Sequence, residues 1–405
     1  MTSVIHQASR PFDGAALAAL LPPDVRLLGL GEPTHNVEVF LDLRNDLFRH
    51  LVEHHGYRSV ALESDALSAS VADAFLADGT GSLDHALEHG ISHGFGALTA
   101  NRELLQWMRA WNTAHPPEQR LRFHGVDAPL EITGAQGPGP ALLALYDLLA
   151  EHLEPQWNRA ELVDLLGPEE RWSDPAALTD PSASVGRTPE AARLRLAADD
   201  LSTLLAAEAP LLAAATSPDR LWRAGLYART ARGLLRYHSA LADDGPGRMS
   251  TIMGLRDLMM ADNARAVVER EADRGPTLLF AHNRHLQREK SVVPFGDGQL
   301  AWWGTGALLA ERLGPRYAFA ASTFGTRGHD IAAPDTLEGL LAAEQPHARA
   351  VVDPALLAAA LPPGTPPRIT ADPTSFALDP ATVALTDAVL FVREIAAAPA
   401  AAQGT

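Results

Sequence analysis

Three short stretches bring carboxylates and imidazoles to the ends of apolar runs. Residues 25–30 lead into Gly31-Glu32-Pro33-Thr34-His35, residues 57–62 into Glu63-Ser64-Asp65, and residues 277–280 into Ala281-His282-Asn283-Arg284-His285. A carboxylate beside an imidazole raises its pKa and orients the ring, as a general base near neutral pH requires. Taken singly, such residues at a strand end serve as readily to fix a loop by hydrogen bonding. Together they point to a reactive centre of two carboxylates and two or three imidazoles.

Other nucleophiles lack an anchor. The chain has no cysteine, which removes thiolate chemistry, disulfides and cysteine-ligated zinc. The one Gly-x-Ser-x-Gly string, Gly90-Ile91-Ser92-His93-Gly94, lies in a Gly-rich loop and follows no apolar strand run, so it is not a nucleophile elbow, and a His-Glu-x-x-His helix, a phosphate loop and a Gly-x-Gly-x-x-Gly fingerprint are absent. Attack by an activated water is the chemistry that remains. No cofactor is expected and the reading is metal-independent. A metal-dependent alternative would use Glu32, His35, Glu63 and His282 or His285, residue types that also suit zinc or manganese.

To converge, the three stretches must end neighbouring strands. The run 25–30 reads as a buried strand, and a helical face then repeats through Val39, Leu43, Leu47 and Leu51 until Gly56. A second strand covers 57–62, a helix about 100–113, and a third strand 121–126. This alternation predicts an α/β fold, a mostly parallel central sheet flanked by helices. Residues from about 140 to 274 carry helical spacing and few β-branched runs, which predicts a large helical insertion. Strands return at 277–281 and 317–320 and near Ala350 and Val389, giving a small C-terminal α/β segment that completes the sheet. The expected units are an N-terminal α/β half at 1–135, the insertion at 136–274 and the C-terminal half at 275–405. Sites in parallel sheets gather at the carboxyl ends of strands. The insertion is expected to fold over that rim as one wall of a cleft, since a large apolar substrate needs most of its surface covered.

Composition narrows the partners. Hydrophobic residues are 46% and charged residues 20%, as in ordinary folded chains. The formal net charge is −17, Lys290 is the one lysine, and no basic stripe is visible, so neither nucleic acid nor an anionic membrane surface is an expected partner. No apolar run approaches the roughly 20 residues of a membrane span. The early apolar stretch 15–21, preceded by Asp13 and followed by Pro22-Pro23, reads as a short capped helix and not as a signal peptide. A cytoplasmic protein is expected.

The motifs also occur in a telling order. Gly31-Glu32-Pro33-Thr34-His35, Leu43-Arg44-Asn45-Asp46-Leu47-Phe48-Arg49-His50-Leu51 and Val60-Ala61-Leu62-Glu63 are followed by Leu105-Gln106-Trp107-Met108-Arg109-Ala110-Trp111-Asn112 and Phe123-His124-Gly125-Val126-Asp127. Arg256-Asp257 with Met260-Ala261-Asp262-Asn263, and then Ala281-His282-Asn283-Arg284-His285, complete the set. This ordered set resembles the erythromycin esterase family up to about Thr326. The resemblance implies a hydrolase that opens a macrolide lactone with water, using a histidine base and no required metal. It implies His35 as the base, Glu32 and Glu63 as the carboxylates that orient the base or the water, and Arg44 as the cation that holds them. The second catalytic imidazole would be His285 or His282, with His285 ranked first.

The chain departs from the family pattern at Asn36, where Gly is usual, at Phe280, where Trp is common, and at His124, where Tyr is common. Asn36 is expected to cap the next helix. Substrate contacts are expected from His124 at the third strand end, from His93 in the Gly-rich loop 90–96, and from Asn36 and Asp65. The expected substrate is a small ester, lactone or polyketide-like compound, met in antibiotic resistance or natural-product biosynthesis. A tailoring enzyme that dehydrates, cyclises or transfers an acyl group with the same base is an alternative, as is a non-catalytic small-molecule binding protein.

Overall fold

The computed structural model describes residues 4–131, 134–296, 298–370, 372 and 374–396. Among them thirteen strands form: β1 Ser9–Pro11, β2 Leu27–Glu32, β3 Ser59–Asp65, β4 Arg122–Asp127, β5 Leu130–Glu131, β6 Gly134–Ala135, β7 Thr277–His282, β8 Lys290–Phe295, β9 Gly298–Trp303, β10 Tyr317–Arg327, β11 Asp330–Ile331, β12 Arg349–Val352 and β13 Ala388–Ile395. One large sheet runs β1-β12-β13-β10-β2-β7-β3-β4, with β11 added to β10, and β5–β6 and β8–β9 form separate hairpins. The six strands from β13 to β4 are parallel, and β12 and β1 close one edge antiparallel.

Every residue of β2, β3 and β7 is buried, as expected of parallel strands covered on both faces. Successive side chains alternate between two cores. Leu28, Leu30, Val60, Leu62 and Leu278 pack with Phe40, Leu47 and Phe48 of the helix Glu38–His54 and Leu104 and Leu105 of the helix Thr99–Ala114. Leu27, Ala61, Leu279 and Phe319 face the other way, onto Met260 and Ala264 of the helix Arg248–Arg270.

The strand order builds the site. β7 comes late in the chain but inserts between β2 and β3, with Glu32 beside His282 and Leu62 beside Phe280. Opposite β4 the register of β3 shifts between Leu62 and Asp65, a local irregularity that re-aims the side chains of Glu63 and Ser64. Gly125 of β4 lies against it, and a Cβ there would collide with the Ser64 and Asp65 carbonyls. Gly31 is needed for a similar reason. The buried Asn283 side chain crosses the end of β2 to bond both the carbonyl and the amide of Ser322 on β10, and a Cβ on Gly31 would stand where its oxygen lies.

Between β6 and β7 the described residues form helices and turns without a strand. Thr188 caps Pro189–Ala207 and Ser217 caps Pro218–Leu241, each accepting from the amide three residues on. Their apolar stripes meet in a core of their own, including Leu142, Leu145, Leu162, Leu194, Leu201 and Leu235. Asp13 caps the short helix Gly14–Ala18 through the Ala16 amide. The hairpin β8–β9 has no counterpart in the sequence reading, because its strands lie off the main sheet and bury too few residues to leave an apolar period. No helix among the described residues is long and apolar enough to cross a membrane.

Gly31→Ala should lower stability by roughly 1–3 kcal/mol, the usual cost of overpacking a closed site. Urea denaturation checks this, and an unchanged midpoint would show that Asn283 can yield without loss.

Candidate active site

Glu32 ends β2, and the chain turns through Pro33, Thr34 and His35 before the helix Glu38–His54. Asn36 makes this turn with φ 61, a left-handed conformation that asparagine tolerates better than most side chains. That is how it stands where the family pattern has glycine. It does not cap the helix: the cap residue is Val37, with no side-chain bond. The turn folds His35 back so that Nδ1 lies 2.7 Å from Glu32 Oε1. The His35 side chain keeps 32% of its exposure whereas Glu32 is buried.

Glu63 is the hub. Its Oε2 accepts the His282 backbone amide at 2.8 Å. Its Oε1 is 3.1 Å from Arg256 Nη2, 3.3 Å from His285 Nε2 and 4.0 Å from His35 Nε2. Burial alone would raise its pKa, but the charges of His285, His35 and Arg256 outweigh this and hold it well below the usual carboxylate range. His285 is gripped from both sides, with Nδ1 2.8 Å from Asp257 Oδ1. Asp257 is fully buried and also accepts from Trp302 Nε1 at 2.6 Å, the Thr305 amide at 2.8 Å and Thr305 Oγ1 at 2.6 Å. Burial disfavours the His285 cation, but Asp257 and Glu63 win and its pKa is pushed up to about 10. His285 is therefore an imidazolium at neutral pH.

His282 is its opposite. Its Nδ1 accepts the Arg284 amide and its Nε2 donates to the Thr374 carbonyl, an arrangement that assigns a neutral tautomer. Burial, with the neighbouring His35, pushes its pKa well down. His35 lies between these extremes: burial opposes its cation, but the Glu63 charge and the Glu32 hydrogen bond leave its pKa raised. Behind the hub, Arg256 holds Asp127 through Nε and Nη2, the latter at 2.6 Å, and Asp127 accepts from His93 Nε2 at 3.1 Å. Among the described residues no group of three or more histidine, aspartate or glutamate side chains is arranged to hold a metal ion.

The sequence model of the erythromycin esterase family matches residues 52–384. The chain belongs to the erythromycin esterase family. It is 27% identical to erythromycin esterase type I of Escherichia coli over 301 residues, 72% of this chain and 68% of that protein. The type II enzyme of the same organism is 24% identical over 301 residues, 73% and 68% of the two chains. Among solved structures, a Bacillus cereus protein superposes with a TM-score of 0.70 over 97% of this chain and 96% of its own, at 17% identity. A histidine-to-asparagine mutant of the erythromycin esterase EreC, in its open conformation, gives 0.67 over 94% and 93% at 22% identity. The fold is thus the α/β fold of erythromycin esterases, and membership of the family supports a hydrolase.

In this erythromycin esterase fold Glu32, His35, Glu63 and His285 converge, with the His282 ring 5.0 Å from that of His35. Four other residues singled out in the sequence lie as follows. Arg44 makes no ion pair to either carboxylate: it bonds Asn45 Oδ1 and lies over the Phe280 ring at 5.0 Å, so it acts on Glu32 only through its field. The grip on Glu63 belongs to Arg256. His124 is the third residue of β4, not its last, and its Nε2 faces Glu271 Oε1 at 3.4 Å while its ring meets Trp222 edge-on. Asp65 is occupied by its own loop, accepting from the Leu67 amide and Ser68 Oγ. His93, held at φ 59, reaches the network through Asp127 and also contacts Glu131 Oε2 at 3.0 Å.

Sequence reasoning assigned no role to Asp127, Arg256 and Asp257. All three stood within matched motifs, but adjacent opposite charges inside a long helix read as a solvated face. Only Asp127, at the end of β4, carried a positional signal. Asp257→Asn should lower the His285 pKa by roughly one to three pH units, since an opposed charge is worth about that much. Ring-proton NMR titration measures it, and an unmoved midpoint would remove Asp257 as the source of the charge.

Proposed function

We propose that this chain hydrolyses a carboxylic ester or macrolactone with water, using His35 as the general base. The observation that carries this is the pair of imidazoles of opposite character facing one oxygen of Glu63: a buried His285 held charged, and a half-exposed His35 able to titrate. Because Nδ1 of His35 donates to Glu32, Nε2 is the nitrogen that takes the proton. The water oxygen bonds to the carbonyl carbon, the carbonyl electron pair moves onto its oxygen, and the proton passes to His35 Nε2. Collapse of the tetrahedral species breaks the bond to the alkoxide, which takes the proton back from His35. His285, held as a cation between Asp257 and Glu63, serves as fixed positive charge near the developing oxyanion. His282 is a positioning residue whose bonds to Thr374 and Arg284 hold the β7 end.

The names of the two Escherichia coli relatives support a macrolide lactone as substrate class. Apolar groups flank the base, with the Phe95 ring 5.3 Å from His35. The helix Arg248–Arg270 supplies Arg256 and Asp257, so the helical middle would be part of the reactive centre as well as a wall.

His35→Ala should lower kcat/KM by roughly a hundredfold or more in a folded protein, the usual worth of a positioned base. Incubation with a panel of macrolides and simple esters, followed by mass for the gain of one water, tests the reaction itself; a panel with no product would reject it. A base works only when neutral, so kcat/KM should rise with pH through a midpoint above 6.5, the ordinary value from which His35 is raised. Glu32→Gln removes the charge, and weakens the hydrogen bond, that raise this pKa. The acid limb should therefore move to lower pH, and a limb that stays in place would count against His35 as the titrating group.

A further inference from the structure

Along the outer edge of β4 the helices Ala69–Asp78, Pro218–Leu241 and Arg248–Arg270 leave a cavity of about 260 Å³. It shares no lining residue with Glu32, His35, Glu63 or His285. Part of its wall is apolar, from Ala69, Ala74, Phe123, Leu226 and Val267. The helix Pro218–Leu241 contributes Asp219, Trp222, Arg223, Leu226 and Arg229, whose spacing of three and four puts them on one face. A face turned to a sheet normally carries apolar residues that close the space. Here it carries an indole and guanidinium groups, and the space stays open.

Three guanidinium groups, Arg223, Arg229 and Arg270, and three carboxylates, Asp73, Asp78 and Asp219, line the cavity, but they are not matched pair by pair. Arg270 and Arg229 lie over the Trp222 ring at 4.7 and 5.1 Å. Arg270 pairs with Asp219 at 2.6 Å. Asp73 is taken by the Phe123 amide and Asp78 by Thr80. Arg229 gives Nε to the neutral Asn263 Oδ1 at 3.0 Å, and its Nη2 is shut from solvent with no hydrogen-bond partner. No ion pair reaches Arg229 among the described residues, and burial pushes its pKa down to about 10. Asp262 and Glu269 favour its charge only through their field and not by contact, and a partly desolvated cation that lacks an ion pair gains from an anion that joins it.

We infer that this cavity is a binding site for a small organic anion, its carboxylate drawn to Arg229 and its apolar body set between Trp222 and the wall of Ala69, Phe123, Leu226 and Val267. Benzoate is the probe, with neutral benzamide and inorganic phosphate as controls that lack the charge or the body. Calorimetry should show saturable benzoate binding roughly tenfold or more tighter than either control, a difference of about 1.4 kcal/mol or more. Arg229→Gln, which removes the charge, and Ala74→Phe, which fills the space, should each weaken it by a similar factor. Binding should persist in His35→Ala, which separates this site from the catalytic centre. Absence of saturable binding, equal binding of benzamide or phosphate, or full affinity in both cavity variants would overturn the inference, as would loss of binding in His35→Ala alone.

Discussion

Four carboxylates, Glu32, Glu63, Asp127 and Asp257, are buried at one end of the sheet, and the surrounding structure is arranged to keep them charged or hydrogen-bonded. An unpaired carboxylate taken out of water costs several kcal/mol, a large part of a typical domain's net stability. The compensation comes from distant parts of the chain. Arg256 spans Glu63 and Asp127, His285 spans Glu63 and Asp257, and Trp302 and Thr305 complete Asp257. The helix Arg248–Arg270 therefore has to dock against the end of β4, and the β8–β9 hairpin has to fold back to deliver Trp302. Assembly of the site and of this half of the fold is one event energetically.

The same electrostatics divides three neighbouring histidines. Each starts from an ordinary imidazole pKa near 6.5, and burial pushes all three toward the neutral form. His285 escapes because two carboxylates face its two nitrogens, whereas the two nitrogens of His282 bond only backbone groups and its pKa is pushed down. His35 is partnered on one nitrogen and open on the other. Environments that drive like groups apart are what allow one to titrate in place while another holds a charge. Two non-glycine residues with left-handed backbone, Asn36 and His93, stand next to this network, where surrounding bonds can hold a conformation that costs energy locally.

The nature of each segment was legible in the chain because it depends on local period and local chemistry. Continuous apolar runs gave β2, β3, β4 and β7 to within three residues at each end, the four-residue spacing from Val39 gave the helix Glu38–His54, and Asp13 and the run of helices after Ala135 could be read the same way. That Glu32, His35, Glu63 and His285 would gather at one rim was legible too, because polar residues directly after a buried strand have one place to be, the rim at its carboxyl end. Family membership was carried by the order of those same motifs. The tertiary structure alone decided that β7 lies between β2 and β3, and so which residues meet, since strand order depends on packing between segments far apart in the chain. It decided that Arg256 and not Arg44 grips Glu63, because a buried charge and a solvated one look alike until the helix face that meets the sheet is known. It also gave His282 and His285, three residues apart and of the same type, different surroundings, one held by backbone groups and the other between two carboxylates.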